Sequence, residues 1–168
     1  MRSASQIAVL TVAAALLAGP AYAAALDAAG AKAFLESIYT RYQGAASDTF
    51  DPLSDTTAPT LFEASTARLI LEGSKVNEEE EVGPLDFDPI CTCQDPDGVR
   101  ADVTAQMTGP ATATATAIVY FPNQPQSTRR EVRFDLVGVN GRWRIRDLHE
   151  QDLPSLRALM AGAAKATP

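Results

Sequence analysis

Glu131-Val-Arg-Phe-Asp-Leu-Val-Gly-Val139, Asn140-Gly141 and Arg142-Trp-Arg-Ile-Arg-Asp-Leu148 form the stretch from which the fold follows. Apolar and polar residues alternate on both sides of Asn-Gly, the period of a half-buried strand. Asn and Gly both tolerate positive φ, so a two-residue type I′ turn is predicted between two antiparallel strands. That turn sets Gly138 opposite Trp143, Leu136 opposite Ile145 and Asp135 opposite Arg146. Phe134, Leu136, Trp143 and Ile145 then share a core face. Arg133, Asp135, Arg142, Arg144 and Arg146 share a solvent face, and the charge and apolar pairings agree in one register.

Working back along the chain, Val99, Ala101, Val103 and Ala105 alternate with polar residues and predict a strand. Gly109-Pro110 turns the chain into a second β-rich run from Thr112 to Phe121, which Pro122 and Pro125 end. Before the strands, Phe34, Leu35, Ile38 and Tyr42 repeat on one face of a helix spanning Ala28 to Tyr42, with Asp27 as N-cap and Gly44 as its stop. A second helix is predicted from Thr60, where Thr60-Leu-Phe-Glu63 matches a capping box, to Gly73. Asp152 is placed as the cap of a last helix carrying Leu153, Leu156, Leu159 and Met160, and residues 161–168 as a frayed tail. Two helices, an antiparallel meander of about four strands and a short C-terminal helix make an α+β domain over residues 24–160.

Residues 1–23 read as a secretory signal peptide. Arg2 starts it, Ile7 to Ala18 is apolar, and Ala21-Tyr22-Ala23 offers small residues for cleavage. The apolar run rises only about 18 Å as a helix, too short for a hydrocarbon core of about 30 Å. With no Cys following it, no lipid anchor is expected after processing. A soluble chain in an exported, oxidising compartment follows, most simply a bacterial periplasm. The 168 residues are 46% hydrophobic, but 30 of them are Ala, so large core side chains are few. A net charge of −7 with 14 basic against 21 acidic residues argues against nucleic acid as a partner.

From residue 32 to residue 159 the chain resembles the nuclear-transport-factor-two-like superfamily. More narrowly, it resembles a family of exported bacterial proteins and lipoproteins of unknown function with that fold. The residues that carry the likeness are Phe34-Leu-Glu-Ser-Ile-Tyr39-Thr-Arg-Tyr42, Asp86-Phe-Asp-Pro-Ile-Cys-Thr-Cys-Gln-Asp95 and Gly141-Arg-Trp-Arg-Ile-Arg-Asp-Leu148. The resemblance implies a curved sheet closing over the helices as a cone. Because that superfamily includes isomerases, dehydratases and non-catalytic scaffolds, it implies no activity by itself.

Cys91-Thr92-Cys93 admits three readings: a local disulfide, unpaired or intermolecular thiols, or a thiolate metal site with Met107 or Met160. A straight strand sets Cα atoms two residues apart at about 6.5–7 Å, the edge of disulfide reach, so a turn at Thr92 would favour the bridge. Asp86, Asp88, Asp95 and Asp97, beside the run Glu78–Glu81, are weak candidates for Ca²⁺, without the spacing of a calcium loop. Asp147 falls on the predicted face of Trp143 and Ile145. There it is either an acid or base at the cone mouth or a structural carboxylate holding backbone amides. Tyr39 and Tyr42 are core aromatics whose hydroxyls reach that mouth. His149, the sole imidazole, is expected to be an exposed strand-end residue, and no Gly-x-Ser-x-Gly elbow accompanies it.

The leading expectation is therefore a non-catalytic exported module that needs no cofactor. It would bind a small apolar ligand or an envelope partner protein through Tyr39, Tyr42, Trp143 and Asp147. The alternatives are an inhibitor or toxin-neutralising docking protein, and a small isomerase- or dehydratase-like enzyme using Asp147 with a Tyr of the first helix.

Overall fold

The computed structural model describes residues 26–43, 49–75, 84–124 and 128–166. The expected signal peptide and the run Glu78–Glu81 lie outside them. Among the described residues three helices, α1 (Ala28–Thr40), α2 (Ala58–Leu61) and α3 (Ala64–Lys75), precede four strands. These are β1 (Arg100–Gly109), β2 (Thr112–Tyr120), β3 (Arg130–Val139) and β4 (Arg142–His149), and α4 (Leu156–Ala166) closes the chain. The strands form one antiparallel sheet in the order β1-β2-β3-β4, so the class is α+β, as read from the sequence.

The β3–β4 turn is as its residues require, with φ of 50° at Asn140 and 72° at Gly141. Near the turn the register matches the expectation, Gly138 facing Trp143 and Leu136 facing Ile145. Farther along it departs. A bulge between Asp135 and Leu136 sets Asp135 opposite Asp147 and Phe134 opposite Leu148, and Arg146 becomes the extra residue on β4. The buried positions of β4 are thus Trp143, Ile145 and Leu148. Asp147 does not continue the Trp143–Ile145 face, and the expected Asp135–Arg146 pair is absent. Arg146 instead meets Glu63 at 3.6 Å.

The helices also correct the sequence reading. Asp27 caps α1 as expected, its Oδ1 accepting from Gly30 N at 2.7 Å. Thr60, however, lies inside the short α2, and no capping box forms. Phe62 leaves the helix in extended backbone and bridges Ile145 of β4, with Glu63 N donating to Ile145 O at 2.8 Å. This tertiary bond takes the amide that a continuous helix would have used. Gly73 does not end α3. A Cβ there would lie 3.0 Å from Met160 Sδ and 3.2 Å from Met160 O, so the glycine lets α4 approach closely. Nor does α4 stop at 161, because its helix continues to Ala166.

The core fills the space between helices and sheet. Leu35, Ile38, Tyr42, Phe62, Ile70 and Phe134 are each at most 1% exposed, and Trp143 is 2% exposed. On the sheet side Ala113, Ala115 and Ala117 replace larger residues. Small side chains at these positions let neighbouring elements approach closely, so an Ala-rich chain packs with few large side chains. No helix of the described residues is long and apolar enough to cross a membrane.

Candidate functional site

Asp147 is structural. Its Oδ1 accepts from Leu148 N at 2.9 Å and Arg157 N at 3.0 Å, and its Oδ2 accepts from Ser155 Oγ at 2.6 Å. Ser155 Oγ in turn accepts from Ala158 N at 3.0 Å. Ser155 is therefore the cap of α4 and Asp147 anchors it, so Asp152 does not have the capping role expected of it. His149 is also engaged rather than exposed. Its side chain is 18% accessible, its Nε2 meets Asp135 Oδ2 at 3.1 Å, and its Nδ1 meets Pro154 O.

A carboxylate does pair with a tyrosine of the N-terminal segment, but it is Asp88, and the tyrosine, Tyr42, stands in the turn after α1, which ends at Thr40 and not at Tyr42 as its periodicity predicts. Tyr42 Oη donates to Asp88 Oδ2 at 2.6 Å, across 46 residues of sequence. Asp88 Oδ1 accepts from Ile90 N at 2.8 Å, and Tyr39 Oη donates to Ile90 O at 2.8 Å. The loop from Asp88 to Cys93 is closed by backbone bonds in both directions, Asp88 N to Cys93 O and Cys93 N to Asp88 O.

Cys91 and Cys93 are disulfide-bonded, with Cα atoms 5.2 Å apart. The shortening below the straight-strand distance comes from Thr92, whose φ of 51° turns the chain. A β-branched residue in that region costs about 1–3 kcal/mol. The surroundings hold it there: Thr92 is 2% exposed, and the Arg130 guanidinium donates to its carbonyl and hydroxyl oxygens. Tyr39 of α1, Tyr42 in the turn just after it, one disulfide and one arginine of β3 thus fix a loop of six residues.

Desolvation raises the Asp88 carboxyl to about 6, against the lowering effect of the bonds from Tyr42 and the Ile90 and Cys91 amides. Burial, and then the Asp88 charge, hold both tyrosine hydroxyls well above their usual range. The acid stands on the wall of a cleft of about 410 Å³ between the loop at 50–53 and the segment 85–96. Phe50, Leu53, Leu85 and Phe87 supply apolar wall, and Asp51, Asp86 and Gln94 supply polar wall.

No protein family, curated protein or solved structure matches this chain. The site therefore rests on its own geometry. Of the residues expected to bind, Tyr39 and Tyr42 reach the site only through their hydroxyls, while their rings are at most 3% exposed. Trp143 lies in the filled core, and its Nε1 has no hydrogen-bond partner. Asp86 and Asp88 line the cleft, whereas Asp95 Oδ1 caps Asp97 N at 3.1 Å. The described residues contain no group of three or more His, Cys, Asp or Glu placed to hold a metal ion.

Sequence reading missed Phe50, Leu53, Leu85 and Phe87. The available signal was an aromatic or leucine set singly among turn-forming residues, where an apolar side chain has a packing reason to be present.

Proposed function

We propose that this protein is an exported, non-catalytic module that binds a small ligand in the cleft walled by Phe50, Leu53, Phe87 and Asp88. One observation carries the reading. The interior between helices and sheet is closed by core side chains, while a concave site lined by both apolar and acidic side chains stands open beside the tethered loop. Both Asp88 oxygens already accept from Tyr42 and Ile90, so this carboxyl gives the wall charge and polarity rather than a free atom to pass a proton or coordinate a ligand. The Cys91–Cys93 disulfide and the signal-like residues 1–23 support an oxidising, exported location. The order of helices and strands supports the nuclear-transport-factor-two-like placement.

Native mass spectrometry of the protein isolated from its host's envelope tests the reading. A retained small molecule, lost when Phe87→Asp places a charge on the apolar wall, is the expected result. A ligand retained equally by the variant would remove the cleft from consideration.

A further inference from the structure

We propose that the ligand of this cleft is a small organic cation, an amine or guanidinium carried on an apolar stem. The inference rests on the binding reading above and adds the chemical class.

Three carboxyl groups, Asp51, Asp86 and Asp88, border the cleft, and among the described residues no Lys, Arg or His lines it; the neighbouring Arg41 guanidinium is packed on Phe50. An anionic ligand would meet like charges beside an apolar wall, where their effect is least screened. A neutral apolar ligand would leave the carboxylates beside it without a counter-charge as it displaced their water.

The aromatic wall points the same way. The Arg41 guanidinium sits 3.9 Å from the centroid of the Phe50 ring, so an aromatic face of this wall does hold an organic cation; that face is taken, Phe50 itself is buried, and Arg41 offsets part of the acidic charge. Tyr42 packs on the same ring in a T-shaped contact, 4.7 Å between centroids, which fixes its orientation. Phe87, half-buried on the segment 85–96, supplies a second ring.

A bare metal ion fits less well. Asp88 spends its oxygens on Tyr42 and on the Ile90 amide, and Asp51 Oδ1 accepts from Leu53 N at 2.8 Å. Dispersed carboxylates with apolar surface between them suit a bulky, weakly hydrated cation. The cleft volume, about 410 Å³, lies in the small-molecule range.

The test compares three probes of one shape: benzylamine, benzyl alcohol and phenylacetate. Each is titrated into the full mature chain labelled with ¹⁵N, following the amides of Leu53, Leu85, Phe87 and Gln94. Benzylammonium is expected to shift them with at least about tenfold tighter affinity than benzyl alcohol, an advantage that added salt erodes. Asp86→Asn, at an exposed position, should reduce that advantage, Asp51 and Asp88 keeping the remainder, and leave the rest of the spectrum unchanged. Equal binding of the alcohol, or tighter binding of phenylacetate, overturns the cation inference and leaves the cleft as a binding site. Cleft amides that respond to none of the three at millimolar concentration overturn both.

Discussion

Asp88→Asn separates the electrostatic character of the site from its shape. In wild type the anionic carboxylate accepts from Tyr42 Oη and from the Ile90 amide. An asparagine with its oxygen toward the Ile90 amide and its NH₂ toward Tyr42 Oη has the shape of the protonated acid, and carries no charge to desolvate. The Asp88 carboxyl is raised from 3.8 to about 6. Folding therefore favours its protonated form. The stability associated with Asp88 is complete below the unfolded-state value and is lost as pH rises through about 6. At 1.36 kcal/mol per pH unit, the loss is about 3 kcal/mol.

Urea unfolding of both proteins, followed by the single Trp143, gives the difference between them at each pH and cancels the other titrating groups. The two should be nearly equal at about pH 4, with the variant gaining about 3 kcal/mol over wild type by about pH 7.5. Parallel profiles, or a wild type that gains on the variant as pH rises, would refute the argument that burial outweighs the hydrogen bonds at this carboxylate.

Asp147→Ala should cost about 2 kcal/mol and loosen α4, because two backbone amides and the Ser155 hydroxyl lose their acceptor; hydrogen exchange at Arg157 and Ala158 reports it, and unchanged protection would contradict the anchoring role. Gly73→Val should cost about 1–3 kcal/mol by pressing on Met160, seen as a lower urea midpoint; a neutral outcome would mean the helices part without cost. Reducing the Cys91–Cys93 bridge should cost no more than about 1.6 kcal/mol, since it closes a loop of only three residues; a calorimetric scan with and without dithiothreitol checks this, and complete unfolding on reduction would show that the bridge does far more than constrain a short loop. Trp143→Phe should be far milder than Trp143→Ala, which removes about 3–5 kcal/mol of packing, because the indole N–H has no partner to lose; equal losses in thermal unfolding would expose an unrecognised bond.

The places where the sequence reading succeeded share a cause. The Asn140-Gly141 turn, the Asp27 cap and the alternation of β2 and β3 depend on residues within a few positions of one another. Turn chemistry and periodicity therefore reveal them. The bend at Thr92 that brings Cys91 within reach of Cys93 is local in the same sense.

The failures share the opposite cause. The capping box at Thr60 is a sound local signal, but Ile145, far along the chain, takes the Glu63 amide and breaks the helix into two pieces. The bulge at Arg146 changes the facing of Asp147, and no periodicity within β4 announces it. A glycine at 73 looks like a stop, and only the approach of Met160 shows it to be a packing position.

Alone, the amino-acid order determined the α+β class, the meander of strands, the turn that joins the last two and the closeness of the two cysteines, because each is decided by backbone preference and side-chain period over short range. Only the tertiary structure decided which carboxylate anchors a helix and which borders a cleft. Asp147 and Asp88 are chemically the same side chain. Their roles are set by what the fold brings to them: the amides of α4 to one, and the Tyr42 hydroxyl and a partly dry wall to the other.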